Sequence, residues 1–353
     1  MKAFTDPEPF RESPMRSWPW WGVRGLAIVL LGLSTAQAQM SPRGLQDAGF
    51  QYYEVGDPDA PRAQATEAAM MLMGGGEWVP EAFEWWLRRA GHGRVVILRA
   101  SGGAELQERL YHDIGGVASV QTLVFENRRA ADDPAVLRVV RSADAIFIAG
   151  GDQARYIRFW KGTGLNAALD EHVRAGRPIA GTSAGLAILG GHSYGALDGG
   201  SVTSTDALRD PLGSEVTMDS AFLTMPYLSN VVTDTHFGKR DRLGRLIVFV
   251  ARAAQASGKQ DMVGIGVDED TALCVEADGS GRVFTLDQGY AWLVMPRHTA
   301  ERLRTGEPLD FHSVPVTGIG TGSRLHLDGF RVDDAAFHAM ADVSDGELQV
   351  RDN

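Results

Sequence analysis

The segment Gly181-Thr182-Ser183-Ala184-Gly185 constrains the fold more than any other part of this chain. It follows a short apolar run at residues 178–180 and opens a helix-compatible stretch, so its pattern is a strand, a tight turn with a serine, and a helix. Only small neighbours leave room around the strained backbone of such a turn. The serine oxygen would lie at the start of the helix, where free N–H groups stabilise negative charge. The pattern predicts a nucleophilic Ser183, and the alternative is a glycine-bounded turn with an incidental serine.

Short apolar runs alternate with helix-compatible stretches from residue 69 to residue 189. This alternation indicates an α/β fold in which a parallel sheet is covered by helices on both faces. Ligands bind beyond the carboxyl ends of the strands in such sheets, so we expect residues 74–76, residues 150–153 and Ser183 on one rim. Residues 231–237 and 262–267 read as further strands, and antiparallel strands are expected from residue 271 onwards. Residues 190–230 lack periodicity and predict a long segment that shapes a site.

The first forty residues have the features of a secretory leader. Arg16 and Arg24 precede an apolar core at residues 25–33, and Ala36-Gln37-Ala38 has the small-x-small pattern of a signal-peptidase site. The apolar core is short for a bilayer span, so we expect a signal peptide at residues 1–38 rather than a stable membrane anchor. The mature chain, residues 39–353, is then a single exported domain, periplasmic or extracellular.

Composition excludes several classes of protein. A net charge of −11 argues against nucleic acid as a partner. Cys274 is the single cysteine, so no intramolecular disulfide can form. The sequence contains neither the histidine and cysteine spacings of a metal site nor the lysine of a phosphate-binding loop, and we expect no metal and no cofactor.

A serine nucleophile needs a base, and nine histidines are available. His236 stands out because it follows the predicted strand at residues 231–237, which would bring it to the rim that carries Ser183. In an α/β-hydrolase esterase the histidine would lie near the C-terminus, and His298 or His312 would be the base. A binding protein that keeps the fold without catalysis is a further alternative.

Four blocks follow one another along the chain: residues 150–153, residues 181–185, the Asp-x-His-Phe segment with the spaced arginines that follow it, and residues 264–272. Together and in this order they resemble the cyanophycinase and peptidase E family of serine peptidases. The resemblance covers roughly residues 68–295. It implies a flavodoxin-like doubly wound parallel sheet, related to class I glutamine amidotransferases, and a Ser–His–acid triad.

Carried onto this sequence, the resemblance makes Ser183 the nucleophile and His236 the base. It points to Glu269 as the acid, with Asp198 as the alternative. The residues expected to stabilise an oxyanion through backbone N–H groups are Gly151, Asp152 and Ala184. Those expected to bind substrate are Gln153, Asp234, Thr235, Arg240, Arg242 and Arg245.

The function that the resemblance implies is that of an exported serine exopeptidase. Its substrate would be cyanophycin, a poly-aspartate that carries arginine on its side chains, and its products would be β-aspartyl-arginine dipeptides. Thr235 stands where cyanophycinases commonly have Gln, so a peptidase E-like enzyme with another aspartyl substrate is the alternative. The partner is therefore a polymer rich in aspartate and arginine. A homodimer is compatible with the sequence.

Overall fold

Two β-sheets with helices packed against them make up the described part of the chain. The computed structural model describes residues 49–60 and 64–352. The predicted signal peptide, residues 1–38, therefore lies outside the described residues. Within the described ranges, no helix is both long enough and apolar enough to cross a bilayer.

Strands and helices alternate through the first half of the described chain and give way to strands in the second half. The strands are β1 (Phe50–Gly56), β2 (Ala69–Met73), β3 (Arg94–Arg99), β4 (Ser119–Phe125), β5 (Ala145–Ile148), β6 (Ile179–Thr182), β7 (His192–Tyr194), β8 (Met218–Ser220), β9 (Val231–Asp234), β10 (Val263–Val267), β11 (Thr271–Glu276), β12 (Ser280–Thr285), β13 (Ala291–Val294), β14 (Phe311–Ile319), β15 (Arg324–His326), β16 (Arg331–Asp333), β17 (Phe337–Ser344) and β18 (Glu347–Asp352). The α-helices are α1 (Pro80–Arg89), α2 (Glu105–Glu108), α3 (Pro134–Ser142), α4 (Gln153–Trp160), α5 (Gly164–Arg174), α6 (Ala184–Ala187), α7 (Ser204–Arg209) and α8 (Leu243–Ser257). A π-helical turn spans Arg109–Ile114 and a 3-10 helix spans Arg128–Asp132.

The first sheet has ten strands in the order β1-β4-β3-β5-β6-β2-β11-β12-β15-β16. Its centre, from β4 to β2, is parallel. Antiparallel strands flank the centre, with β1 on one side and β11 on the other. This arrangement confirms the predicted α/β class and the added antiparallel strands.

The second sheet has eight strands in the order β18-β17-β14-β13-β10-β9-β7-β8. The strands expected near residues 231–237 and 262–267 exist as β9 and β10, and they run parallel to each other. The sequence did not predict that they belong to a separate sheet. Residues 190–230, expected as an irregular excursion, contribute β7 and β8 to that sheet and α7 against α8.

One face of the parallel centre is covered by α1, which packs an aromatic cluster against β5. Pro80 occupies the first turn of this helix, where a missing N–H costs nothing. The rings of Phe83 and Phe147 meet edge to face with centroids 5.4 Å apart, and Trp78 stacks on Phe83 at 4.4 Å. This cluster fixes α1 on the sheet through buried aromatic area.

Replacing Phe147 by Ala should lower the free energy of unfolding by about 3–5 kcal/mol, because the ring is fully buried and its neighbours cannot all close the cavity. Urea unfolding followed by tryptophan fluorescence measures the change. Leu286→Ala is the matched control, since the Leu286 side chain is half exposed, and it should change stability by less than about 0.5 kcal/mol. Equal losses in both variants would contradict the assigned packing.

Candidate active site

Ser183 stands at the turn between β6 and α6 in a strained backbone conformation. Its φ is 51° and its ψ is −121°, a region that residues with a side chain rarely adopt. A Cβ on Gly181 would lie 2.5 Å from the carbonyl oxygen of Gly185, and one on Gly185 would lie 2.1 Å from that of Ile148. Both flanking glycines are therefore required by the close approach of the turn to the sheet.

Three side chains from separate elements meet at this turn. The Ser183 Oγ lies 2.7 Å from His236 Nε2, and His236 Nδ1 lies 2.6 Å from Glu269 Oε1. The His236 and Glu269 side chains are both nearly buried. The carboxylate on Nδ1 belongs to Glu269 rather than to Asp198, the alternative acid. This geometry lets Nδ1–H donate to the carboxylate while Nε2 accepts the serine proton.

The end of β2 holds the three segments that carry Ser183, His236 and Glu269 close to one another. The carbonyls of residues 73, 74 and 75 accept the backbone N–H groups of Ser183, His236 and Asp270 in that order, at 3.1, 2.7 and 2.8 Å. Each of the three donor residues has a positive φ, between 47° and 54°. A single strand end therefore anchors the serine, the histidine and the residue that follows Glu269.

The glycines after β2 make this approach possible. A Cβ on Gly75, whose φ is +107°, would lie 2.3 Å from Cε1 of the His236 ring. A Cβ on Gly74 would lie 2.0 Å from the carbonyl oxygen of Asp268. The sequence predicted that residues 74–76 lie on the rim with Ser183, and the geometry adds the reason for glycine at these positions.

The three acidic residues at 268–270 have different partners. Asp268 Oδ1 accepts the backbone N–H of Gly238 at 2.8 Å, and Asp270 Oδ1 accepts that of Glu77 at 2.5 Å. Glu269 alone extends to the histidine. The flanking aspartates thus pin the loops around the acid, a role that sequence patterns did not assign to them.

Cations surround the Glu269 carboxylate on its solvent side. Lys239 Nζ lies 2.6 Å from Oε2, and Arg240 Nε lies 4.0 Å from Oε1. Burial acts to raise the pKa of Glu269, but the hydrogen bonds from Lys239 and His236 outweigh it and hold this pKa below its ordinary value. Sequence patterns did not single out Lys239, and its place three residues after His236 was the one available signal.

His236 is electrostatically prepared to act as a base. Burial is the main cause that lowers its pKa below the ordinary value of 6.5, and the charges of Arg240 and Arg242 lower it further. The hydrogen bond to Glu269 opposes this change without cancelling it. The imidazole is therefore neutral at neutral pH and free to accept a proton.

The segments that carry the expected oxyanion donors run next to Ser183. A Cβ on Gly150 would be 3.3 Å from Ser183 Cβ, so the turn after β5 runs next to the serine. Gly151 has a φ of +148°, which favours glycine. Ala184 opens α6, and the N–H groups of a first helical turn have no partner within the helix. Asp152 uses its carboxylate to cap α4.

Three of the residues predicted to bind substrate are buried in an internal network. Arg245 Nε and Nη2 donate to the two oxygens of Asp234 at 2.8 and 2.5 Å, and both side chains are about 3% exposed. The hydroxyl of Thr235 lies 3.2 Å from Arg242 Nη1, which also donates to the Thr235 carbonyl at 2.8 Å. The polar groups of Asp234, Thr235 and Arg245 are thus already paired inside the protein. Their role in substrate binding stays a prediction.

The other predicted substrate-binding residues differ in exposure. Arg242 is nearly buried, and burial lowers its pKa to about 10. Arg240 has about half of its side chain exposed. Gln153 Nε2 donates to the Tyr194 carbonyl at 3.0 Å, so its amide nitrogen binds the end of β7. Arg240 is the best placed of these to reach a bound molecule.

Known proteins similar to this chain include peptidases. The family model of peptidase family S51 matches residues 105–209, a range that contains Ser183. A cyanophycinase from Trichormus variabilis is 31% identical over 281 residues, which cover 75% of this chain and 87% of the relative. A cyanophycinase from Synechococcus elongatus is 33% identical over 240 residues, which cover 66% of this chain and 69% of the relative. A solved peptidase from an acI-B1 Actinobacterium aligns with a TM-score of 0.48 at 18% identity and covers 74% of this chain and 97% of that one.

Gly75→Ala should displace the His236 ring and lower the rate at which a fluorophosphonate probe labels Ser183 by about 100-fold, because a misplacement of 1 Å can cost that much. Mass spectrometry of the labelled peptide measures the rate. Gly306→Ala is the matched control, since Gly306 has a positive φ of 73° with nothing near its added Cβ. If both variants lose the same activity, backbone strain rather than contact with His236 explains the effect.

Arg245→Leu should destabilise the fold by about 3 kcal/mol, because the buried Asp234 carboxylate would lose its bidentate partner and keep only the more distant Arg242, at 3.5 Å. Urea unfolding measures the loss. The double variant Asp234→Asn with Arg245→Leu should regain part of it. Arg351→Leu, which breaks an exposed pair with Asp342, should cost less than about 1 kcal/mol. A small effect of Arg245→Leu would argue against the buried pair.

Proposed function

Because this chain belongs to peptidase family S51 and is a serine-type peptidase, we propose that it is an exopeptidase that hydrolyses cyanophycin to β-aspartyl-arginine dipeptides. The observation that carries the proposal is the unbroken relay of hydrogen-bond distances at the strained turn, 2.7 Å from Ser183 to His236 and 2.6 Å from His236 to Glu269. The substrate is inferred from the cyanophycinases that the chain resembles over most of its length.

Acylation begins when Ser183 Oγ attacks the carbonyl carbon of the scissile peptide bond. His236 Nε2 takes the hydroxyl proton, and Glu269 stabilises the imidazolium and holds its ring in place through Nδ1–H. The tetrahedral intermediate collapses when His236 returns the proton to the leaving amine. This leaves an ester between Ser183 and the acyl part of the substrate.

Deacylation repeats the same proton transfers with water. His236 takes a proton from the water that attacks the ester, and the second intermediate collapses to a free carboxylate and Ser183. In both intermediates the negative oxygen is stabilised by backbone N–H groups of Gly151, Asp152 and Ala184. The charge develops at the start of α6, where the helix favours an anion.

Substrate recognition in this proposal depends on the exposed cation nearest the base. Arg240 presents about half of its side chain to solvent and lies next to the relay. A guanidinium can donate to both oxygens of one carboxylate, which suits the free carboxylate at the end of an aspartate polymer. Arg242 and Arg245 contribute indirectly, because they hold the segment that carries His236.

We also propose a fold lineage and a cellular location for this chain. The strands β4-β3-β5-β6 follow the 2-1-3-4 order of a flavodoxin-like sheet, as in a fold related to class I glutamine amidotransferases, and β2, which precedes them in the chain, takes the fifth place. The leader pattern at residues 1–38 supports export before the enzyme meets an extracellular or periplasmic polymer.

Ser183→Ala and His236→Ala should each lower kcat for dipeptide release from insoluble cyanophycin by about 10⁴-fold, because the nucleophile and its base act as a unit. The double variant should lose little more than either single variant. Mass spectrometry of the soluble products, with the mature chain from Gln39, measures the release.

His298→Ala is the control that separates this mechanism from an esterase with a C-terminal base. The His298 ring packs against Phe311 and should leave the rate unchanged. Hydrolysis of short aspartyl peptides without release from cyanophycin would favour the peptidase E-like alternative. Loss of activity in His298→Ala with an active His236→Ala would overturn the assigned base.

A further inference from the structure

A short loop brings Lys239 against the acid of the relay. The loop between β9 and α8 is held at both sides, because the Gly238 N–H donates to Asp268 and the Arg240 N–H donates to the His236 carbonyl at 3.1 Å. Lys239 lies between these two fixed points. Its position is therefore set by the same backbone contacts that set the base.

The Glu269 carboxylate divides its two oxygens between two partners. Oε1 faces His236 Nδ1 and Oε2 faces Lys239 Nζ, both at 2.6 Å. The Glu269 side chain is about 13% exposed, although most of the Lys239 side chain is in solvent. A permanent cation on the second oxygen withdraws negative charge from the first, so the carboxylate stabilises an imidazolium less strongly.

We propose that Lys239 is a positioning residue that fixes Glu269 and limits the charge it offers to His236, so that the base stays neutral, and the enzyme active, at lower pH than without this lysine. This inference rests on the proposed function of Ser183 and His236. It extends that function by naming a residue that affects the protonation of His236 without contacting Ser183 or His236 itself.

The other charged groups near His236 and Lys239 also affect the protonation of these two residues. Arg240 and Arg242 face His236 and disfavour its protonation. In this proposal Lys239 acts in the same direction through Glu269. Asp270 faces Lys239 and favours the charged lysine. The strand end on the other side of the ring, residues 74–76, carries no titratable side chain. Removing Lys239 therefore raises the pKa of His236, and activity that depends on the neutral imidazole moves to higher pH.

The test is the pH dependence of fluorophosphonate labelling of Ser183 in the mature protein, from about pH 4 to about pH 9. Lys239→Met should label roughly two- to fivefold more slowly than the parent on the acid side, the size expected for one partly exposed ion pair. At alkaline pH its rate should equal or exceed that of the parent. Lys239→Arg should restore the parent profile, because it keeps the charge.

Lys259→Met is the matched control, since it removes the same charge from a lysine that bonds Asn230 instead. Its profile should match the parent. Coincident profiles for Lys239→Met and the parent, or an equal loss at every pH, would overturn the proposal. An equal loss would mean that Lys239 only supports the loop or binds substrate.

An NMR titration of the His236 ring keeps this inference separate from the proposed function. If Ser183 is not labelled in any variant, the proposed function fails, and the titration still reports whether Lys239→Met moves the midpoint of His236 protonation to higher pH. An unmoved midpoint overturns the role of Lys239 even where labelling is intact.

Discussion

The hydrogen bonds at the end of β2 are the constraint on which the site depends. Three consecutive carbonyls, of residues 73–75, hold the backbones of Ser183, His236 and Asp270. These donors come from two sheets and from loops far apart in the chain. Because one strand end is common to all of them, the distances within the relay are set by backbone geometry rather than by side-chain packing. Side chains supported in this way lose little entropy when they adopt the reactive arrangement.

The same contacts explain why the strain at the site persists. The positive φ of Ser183, His236 and Asp270 costs of order 1–3 kcal/mol at each residue unless its surroundings impose it. Each strained residue donates its N–H to the strand end, so releasing the strain would leave a polar group near the sheet without a partner. The glycines at 74–76 complete the arrangement, since any side chain there would collide with the loops they hold. Stability and reactivity are therefore coupled through one short segment.

The sequence was sufficient to predict the parallel centre, the turn at Ser183 and that His236, among the histidines, lies beside this serine. These features leave local signals, namely alternating apolar runs, small residues around a strained turn and a polar residue after a strand. The second sheet leaves no such signal, because periodicity defines a strand and its faces but not its neighbours. Arg245 was predicted to bind substrate, and in the structure its guanidinium pairs with Asp234 inside the protein. A guanidinium fork suits a carboxylate of either origin, so residue type could not separate the two roles.

Side-chain length explains why only one of the three consecutive acidic residues bonds to His236. The carboxylates of Asp268 and Asp270 are close to the main chain and accept N–H groups of Gly238 and Glu77. Glu269 has one more methylene group and extends past them to the imidazole. The aspartates could not be exchanged with the glutamate without losing either the loop contacts or the bond to Nδ1. The division of roles within the triplet thus follows from reach, and it ties the acid to the loops that carry the base and its neighbouring lysine.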